Sequence, residues 1–157
     1  MYDGYSMRQE TVPVHASAIK ARGKWIPVIY PMDGRQADKG SGNSLALQYR
    51  DEGVNLLRDH FTNPPQNGMK EGSGGISVEA GVMEMLTRFQ TKRLKIFSNQ
   101  SKILEEIRLY HRKNGKIIPM NDDIISALRY AVMSLRKART RNTEPMQIQT
   151  DSEFNLF

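Results

Sequence analysis

Apolar positions along this chain alternate between a helical period near 3.6 and near-continuous runs of the kind found in buried strands, which predicts helices alternating with extended segments. Residues 10–22 carry Pro13 near their start and are followed by Gly23, as in a helix that takes proline in its first turn and stops at glycine. Residues 25–30 (Trp-Ile-Pro-Val-Ile-Tyr) form an unbroken apolar run. Pro27 has no N–H to give a ladder, so the strand core is expected over residues 28–30. A Gly/Ser-rich turn leads into a short helix over residues 43–51, stopped before Gly53, and then a strand over residues 54–60. Residues 62–75 are dense in Pro, Gly, Asn and Ser and predict a loop.

In the second half, Val78, Val82, Met85, Leu86 and Phe89 share one face of a helix over residues 77–92. A short strand over residues 94–97, a helix over 101–113 and an extended piece over 115–119 follow. The most regular segment is the helix over 122–138, where Ile124, Ile125, Leu128, Ala131, Val132 and Leu135 repeat at helical spacing. The period then stops, and residues 140–157 are expected to be a disordered tail after a domain spanning 1–139. Strands alternating with helices imply an α/β layer fold with a largely parallel sheet.

Composition narrows the picture. A chain of 157 residues with 38% hydrophobic and 25% charged residues is long enough for one buried core. No apolar run approaches the ~18 residues of a membrane span. Met1-Tyr2-Asp3-Gly4-Tyr5 lacks the basic start and apolar stretch of a signal peptide. With no cysteine there is neither a disulfide framework nor a thiolate metal site. A cytoplasmic setting fits these features. The net charge of +6 points toward polyanionic partners, since Lys and Arg gain affinity by releasing counterions from nucleic acid. Basic residues bunch over 108–116 and 136–141. Arg136, Lys137, Arg139 and Arg141 are candidate phosphate contacts, or equally a solvated helix end favoured by the dipole.

Candidate chemistry rests on acids at element ends. Asp33 follows the 25–30 strand directly, and in open α/β sheets ligands gather at the carboxyl ends of strands. Asp122 and Asp123 open the last helix after an extended piece. Such carboxylates suit Mg²⁺ or Mn²⁺, and a pair of ions can activate water in phosphodiester cleavage. Structural readings stand beside these: Asp33-Gly34 as an ordinary turn, Asn121-Asp122-Asp123 as a capped helix start, and Glu79 as a first-turn acid that could also face the sheet edge. His15, His60 and His111 lack metal-ligand spacing. No Gly-x-Ser-x-Gly elbow and no Gly-x-x-x-x-Gly-Lys-Ser/Thr phosphate loop occurs.

The run Asp122-Asp123-Ile124-Ile125-Ser126-Ala127-Leu128-Arg129-Tyr130-Ala131 resembles the Asp-Asp-x-x-Asp-Ala-x-Arg-Tyr-Ala signature of phage large terminase nuclease domains. Trp25 to Gly34 is similar to the strand bearing that family's second acidic residue, and residues 75–89 and 108–116 read like its headful-packaging members. The resemblance covers residues 3–135. It implies a ribonuclease H-like mixed sheet flanked by helices. It further implies Asp33, Asp122 and Asp123 as ligands of Mg²⁺ or Mn²⁺, cleavage of concatemeric double-stranded DNA in the host cytoplasm, and a viral portal and small terminase subunit as partners. Ser126 stands where the signature has its third acid. The family's first catalytic Asp lies on a strand that this chain is expected to lack, so a catalytically incomplete DNA-binding or packaging-assembly module is the alternative.

Overall fold

A computed structural model describes residues 1, 3–37, 42–118 and 122–140. Five α-helices are found among them: α1 (Val12–Ala21), α2 (Leu45–Asp51), α3 (Val78–Gln90), α4 (Ser101–Leu109) and α5 (Asp123–Met133). Short 3-10 turns cover Met32–Arg35 and Leu135–Lys137. The one two-stranded sheet among the described residues is an antiparallel hairpin of β1 (Arg112–Lys113) and β2 (Lys116–Ile117). Beyond Thr140, the tail expected over 140–157 lies outside the described residues.

The main core lies where α3 and α4 pack on α5. Met85, Ile103, Ile124, Ile125, Leu128 and Val132 are buried together there, with Val82, Phe89, Ile107 and Tyr110 closing the sides. The helical period selects these positions, with Ile103, Ile107 and Tyr110 inward on the 101–113 helix, but it also selects Val78, Leu86, Ala131 and Leu135, which are exposed. A second layer forms from α1, α2 and the Met32–Arg35 turn, centred on Ala16, Tyr30 and Ala46. Ser44 caps α2 by accepting the Leu47 N–H at 3.2 Å, and α1 ends in a turn in which Gly23 N–H bonds Lys20 O at 3.0 Å. Phe61, 2% exposed, joins the two layers: its N–H reaches Tyr30 O at 2.7 Å and its ring packs on Tyr130 at 4.5 Å.

The extended segments pair less than their apolar runs suggested. Val28 bridges Leu56 in parallel: Val28 N–H bonds Asn55 O, and Leu57 N–H bonds Val28 O, both at 2.9 Å. Pro27 and Pro31 bracket the segment and leave its other edge without two donors, which disfavours a second neighbour on that side. Residues 94–97 lie against the chain's start, with the Met1 ammonium on Lys95 O and Phe97 N–H on Met1 O at 3.1 Å.

Two helices end before their expected limits. The α4 helix stops at Leu109 rather than 113, because Tyr110 turns extended (ψ 112°) and Asn114-Gly115 takes positive φ (51° and 76°) to close the hairpin. Both central residues at positive φ is the requirement of a two-residue hairpin turn. The α5 helix gives way at Ser134, whose N–H is shared between Tyr130 O and Ala131 O at 3.1 and 3.2 Å, and the chain tightens into a 3-10 turn.

Candidate functional site at the start of the last helix

The first free N–H groups of a helix must find acceptors. In α5 those of Ile124 and Ile125 both bond one carboxylate oxygen of Glu106, each at 2.9 Å, so the cap comes from α4 across the interface. Asp122 occupies the N-cap position yet its side chain makes no capping bond, accepting the Ser126 hydroxyl at 3.3 Å instead. Asp123 is largely exposed and lies 3.6 Å from the equally exposed Arg8. Neither acid spends its side chain on capping, while Asp123 stands in the first turn, where an ordinary helix start also places an acid. The serine at the signature's third acid position is turned onto Asp122. A hollow of about 540 Å³ opens beside them, lined by Arg8, Lys102, Glu105, Glu106 and Asp123. Burial raises the Tyr110 hydroxyl pKa, and the Asp122 carboxylate adds to the rise.

Asp33 sits in the Met32–Arg35 turn, exposed, with its carbonyl accepting Gln36 N–H at 2.9 Å. Gly34 is not at positive φ. It is buried because a Cβ there would stand 3.0 Å from the Tyr30 ring, so the glycine serves close packing and not a left-handed turn. Asp33 lines an apolar hollow of about 230 Å³ with Val28, Leu45, Tyr49 and Leu56. That hollow and the one beside Asp123 have no lining residue in common. Among the described residues no three His, Cys, Asp or Glu side chains group closely enough to hold a metal ion.

The remaining candidates are engaged. Glu79 takes both guanidinium nitrogens of Arg112, one at 3.0 Å, tying α3 to the hairpin. Arg136 and Lys137 share the carboxylate of Glu71. Arg139 is exposed, and Arg141 lies outside the described residues. His15 bonds Tyr5 at 3.2 Å, His60 faces Arg35 at 3.5 Å and His111 bonds Leu109 O at 2.7 Å, three separate settings as their spacing suggested.

Two residues at this end were not singled out from the residue pattern. Glu106 falls on a polar helix face, and nothing local marks it as another helix's cap. Arg129 is 4% exposed, its guanidinium 5.4 Å from the Phe61 ring and 4.6 Å from that of Tyr130, with Nη1 unpartnered among the described residues. Its stem crosses α3 at Gly81, where a Cβ would fall 2.5 Å from Arg129 Cγ. The available signal was a glycine inside a helix, which usually marks a close approach.

Residues 1–135 match the family model described as the terminase RNaseH-like domain. The chain belongs to that family and has its ribonuclease H-like fold. It is 42% identical over 134 residues to the terminase large subunit of Salmonella phage P22, covering 84% of this chain and 25% of that protein. It is 41% identical over 128 residues to the terminase large subunit of Enterobacteria phage LP7, covering 80% of this chain and 25% of that protein. The solved P22 large terminase nuclease domain superposes with a TM-score of 0.73 at 39% identity, covering 88% of this chain and 69% of that structure. The chain thus spans a quarter of the length of the curated relatives it matches.

Proposed function

We propose that residues 1–139 form a divalent-metal-dependent endonuclease domain that cuts concatemeric double-stranded DNA during viral genome packaging, in the host cytoplasm. A portal and a small terminase subunit are its assembly partners in this reading. The observation that carries it is local: Glu106 supplies the side-chain cap of α5, so that neither Asp122 nor Asp123 spends its carboxylate on capping at the signature position of the terminase nuclease family.

The donor set fits a hard cation. Mg²⁺ is commonly held by one or two carboxylates, with waters and substrate phosphates filling the remaining positions, so a full protein cage is not required. Asp122 and Asp123 would supply oxygens at the start of α5; Asp33, on a separate hollow in the structure, enters this reading as a ligand only if the two sites close on one another when metal and DNA bind. The ion supplies charge neutralisation and an activated water. Ser126 holds the Asp122 carboxylate from one side, and in this reading Arg139, which is exposed, and Arg141 are contacts to the DNA backbone. Glu79, committed to Arg112, orients the hairpin in this reading and is not a ligand.

The test is Mn²⁺ binding followed by calorimetry, with nicking of supercoiled plasmid in Mn²⁺ and in Mg²⁺ and a thermal melt on each variant. Asp122→Asn and Asp33→Asn each keep volume and remove a charge. Both are expected to weaken Mn²⁺ binding at least about tenfold and abolish nicking, with the melt unchanged for Asp33→Asn and unchanged or raised for Asp122→Asn, whose neighbour Asp123 carries the same charge. If Asp33→Asn binds Mn²⁺ as the parent does, Asp33 is a turn residue. The absence of a three-acid cluster among the described residues favours a second reading, a non-catalytic DNA-binding or packaging-assembly module. Duplex binding without nicking in either metal would establish that one.

A further inference from the structure

Residues 66–73 form the tip of the long loop before α3, and that tip is folded on itself. Met69 N–H bonds Gln66 O at 3.0 Å, and Ser73 donates to Lys70 O through its N–H at 3.2 Å and its hydroxyl at 2.7 Å. The neck is fixed separately, by Asn63 N–H on Gly75 O at 2.8 Å and Asn63 Nδ2 on Ser77 O at 3.1 Å. Among the described residues, hydrogen bonds and ion pairs from the tip to the rest of the protein run through Glu71 alone.

Arg136 offers Glu71 a planar fork. Its Nε lies 3.1 and 3.2 Å from the two carboxylate oxygens and its Nη2 lies 2.6 Å from Oε1, the same oxygen that Lys137 Nζ approaches at 3.3 Å. The guanidinium is also held from behind, donating to Met133 O at 2.5 Å and Thr62 O at 3.4 Å, so its orientation does not depend on Glu71. A fixed fork with a second cation at its side suits a phosphodiester oxygen pair as well as a carboxylate. Glu71 is half exposed, so the pair is reachable by solvent, salt or another anion, and such pairs exchange readily.

We infer that Glu71 holds, in the free protein, the anion seat that Arg136 and Lys137 offer to a DNA phosphate, and that the backbone of the duplex displaces the loop tip while the neck stays closed. This rests on the reading of the protein as a DNA-binding domain with those two cations facing the duplex. The exchange trades two ion pairs for two, and the freed Glu71, still tethered by the neck, opposes the DNA by repulsion. The loop thereby tunes affinity.

The experiment is fluorescence anisotropy of a short mixed-sequence DNA duplex in EDTA, over a NaCl series, with parent, Glu71→Gln, Arg136→Gln and the double variant. Glu71→Gln is expected to tighten binding several-fold and steepen its salt dependence. Arg136→Gln should weaken binding and flatten the salt slope by roughly one unit. In the double variant the gain from Glu71→Gln should shrink, because Lys137 is then the cation that Glu71 still contests with the DNA. In the parent protein, amide hydrogen exchange over residues 66–73 should accelerate when duplex saturates it, a readout needing no substitution. If Arg136→Gln weakens binding but Glu71→Gln leaves it unchanged or weaker, and exchange at the tip does not accelerate, Glu71 is a staple and the displacement is refuted. If Arg136→Gln leaves binding unchanged, the assignment of these cations to DNA fails instead.

Discussion

Glu106 and Gly81 show how single positions govern the site end of the molecule. Removing the Glu106 carboxylate leaves two N–H groups of α5 without acceptors, so Glu106→Ala should cost about 1–2 kcal/mol, while Glu106→Gln, which keeps an acceptor oxygen, should lose less than half of that. Denaturant unfolding of the three proteins checks this, and equal losses for Ala and Gln would show that the pairing is not what stabilises α5. At Gly81 two effects compete. Alanine gains about 1 kcal/mol of helix propensity. The added methyl would, however, meet Arg129 Cγ and Cδ at 2.5 and 2.6 Å, and overpacking of a buried stem costs about 1–3 kcal/mol. The clash should win in the parent. In an Arg129→Ala background the same substitution should become neutral or stabilising, and a double-mutant cycle reads the difference. Glu106 was not visible as special in the chain alone, because it caps a helix 18 positions away, and Gly81 showed only as a glycine inside a helix whose partner appears once α3 meets α5.

At the scale of elements, the helices were legible and the strands were only half so. The faces of α3, α4 and α5 that the 3.6 period marked are the faces that bury Met85, Ile103, Leu128 and Val132, because a helix makes its own hydrogen bonds and needs the tertiary structure only to cover a stripe. An extended segment has no internal bonds and becomes a strand only where a neighbour completes it. Residues 28–30 and 54–57 found each other at one bridge. The hairpin at Asn114-Gly115 could have been read directly from that dipeptide, whose φ of 51° and 76° sharply favours glycine at the second place. Gly115→Ala should therefore destabilise by about 1 kcal/mol through strain. Because Arg112 of the hairpin holds Glu79, the same change should also raise hydrogen exchange at the start of α3. Unchanged exchange there would mean that the hairpin and α3 are not coupled.

Across the whole molecule, long-range ion pairs tie distant segments together: Asp3 to Arg22, Glu79 to Arg112, and Glu71 to Arg136 and Lys137. The Arg22 guanidinium lowers the Asp3 pKa, and that of Arg136, helped by Lys137, lowers the Glu71 pKa. A folded pKa below its unfolded value stabilises at every pH above the ordinary carboxylate range. That stabilisation is lost as pH falls through the lowered folded value. Both pairs are partly exposed, so each contributes only about 0.2–1 kcal/mol and weakens in salt. The melting difference between parent and Glu71→Gln should thus be present at neutral pH and vanish by about pH 2; a difference that survives there would place the effect in packing and not in charge.

What the chain by itself determined was most of its helices with their apolar faces and, through the Asp122–Ala131 run, its membership of the terminase nuclease family. Periodicity and short motifs are local properties, written into neighbouring residues. Only the tertiary structure decided that Glu106 and not Asp122 caps α5, that Arg129 is buried over Phe61, and that Arg136 and Lys137 face Glu71. Those pairings join residues as far as 68 positions apart, and which cation meets which anion depends on how the helices pack, which no local pattern of residues encodes.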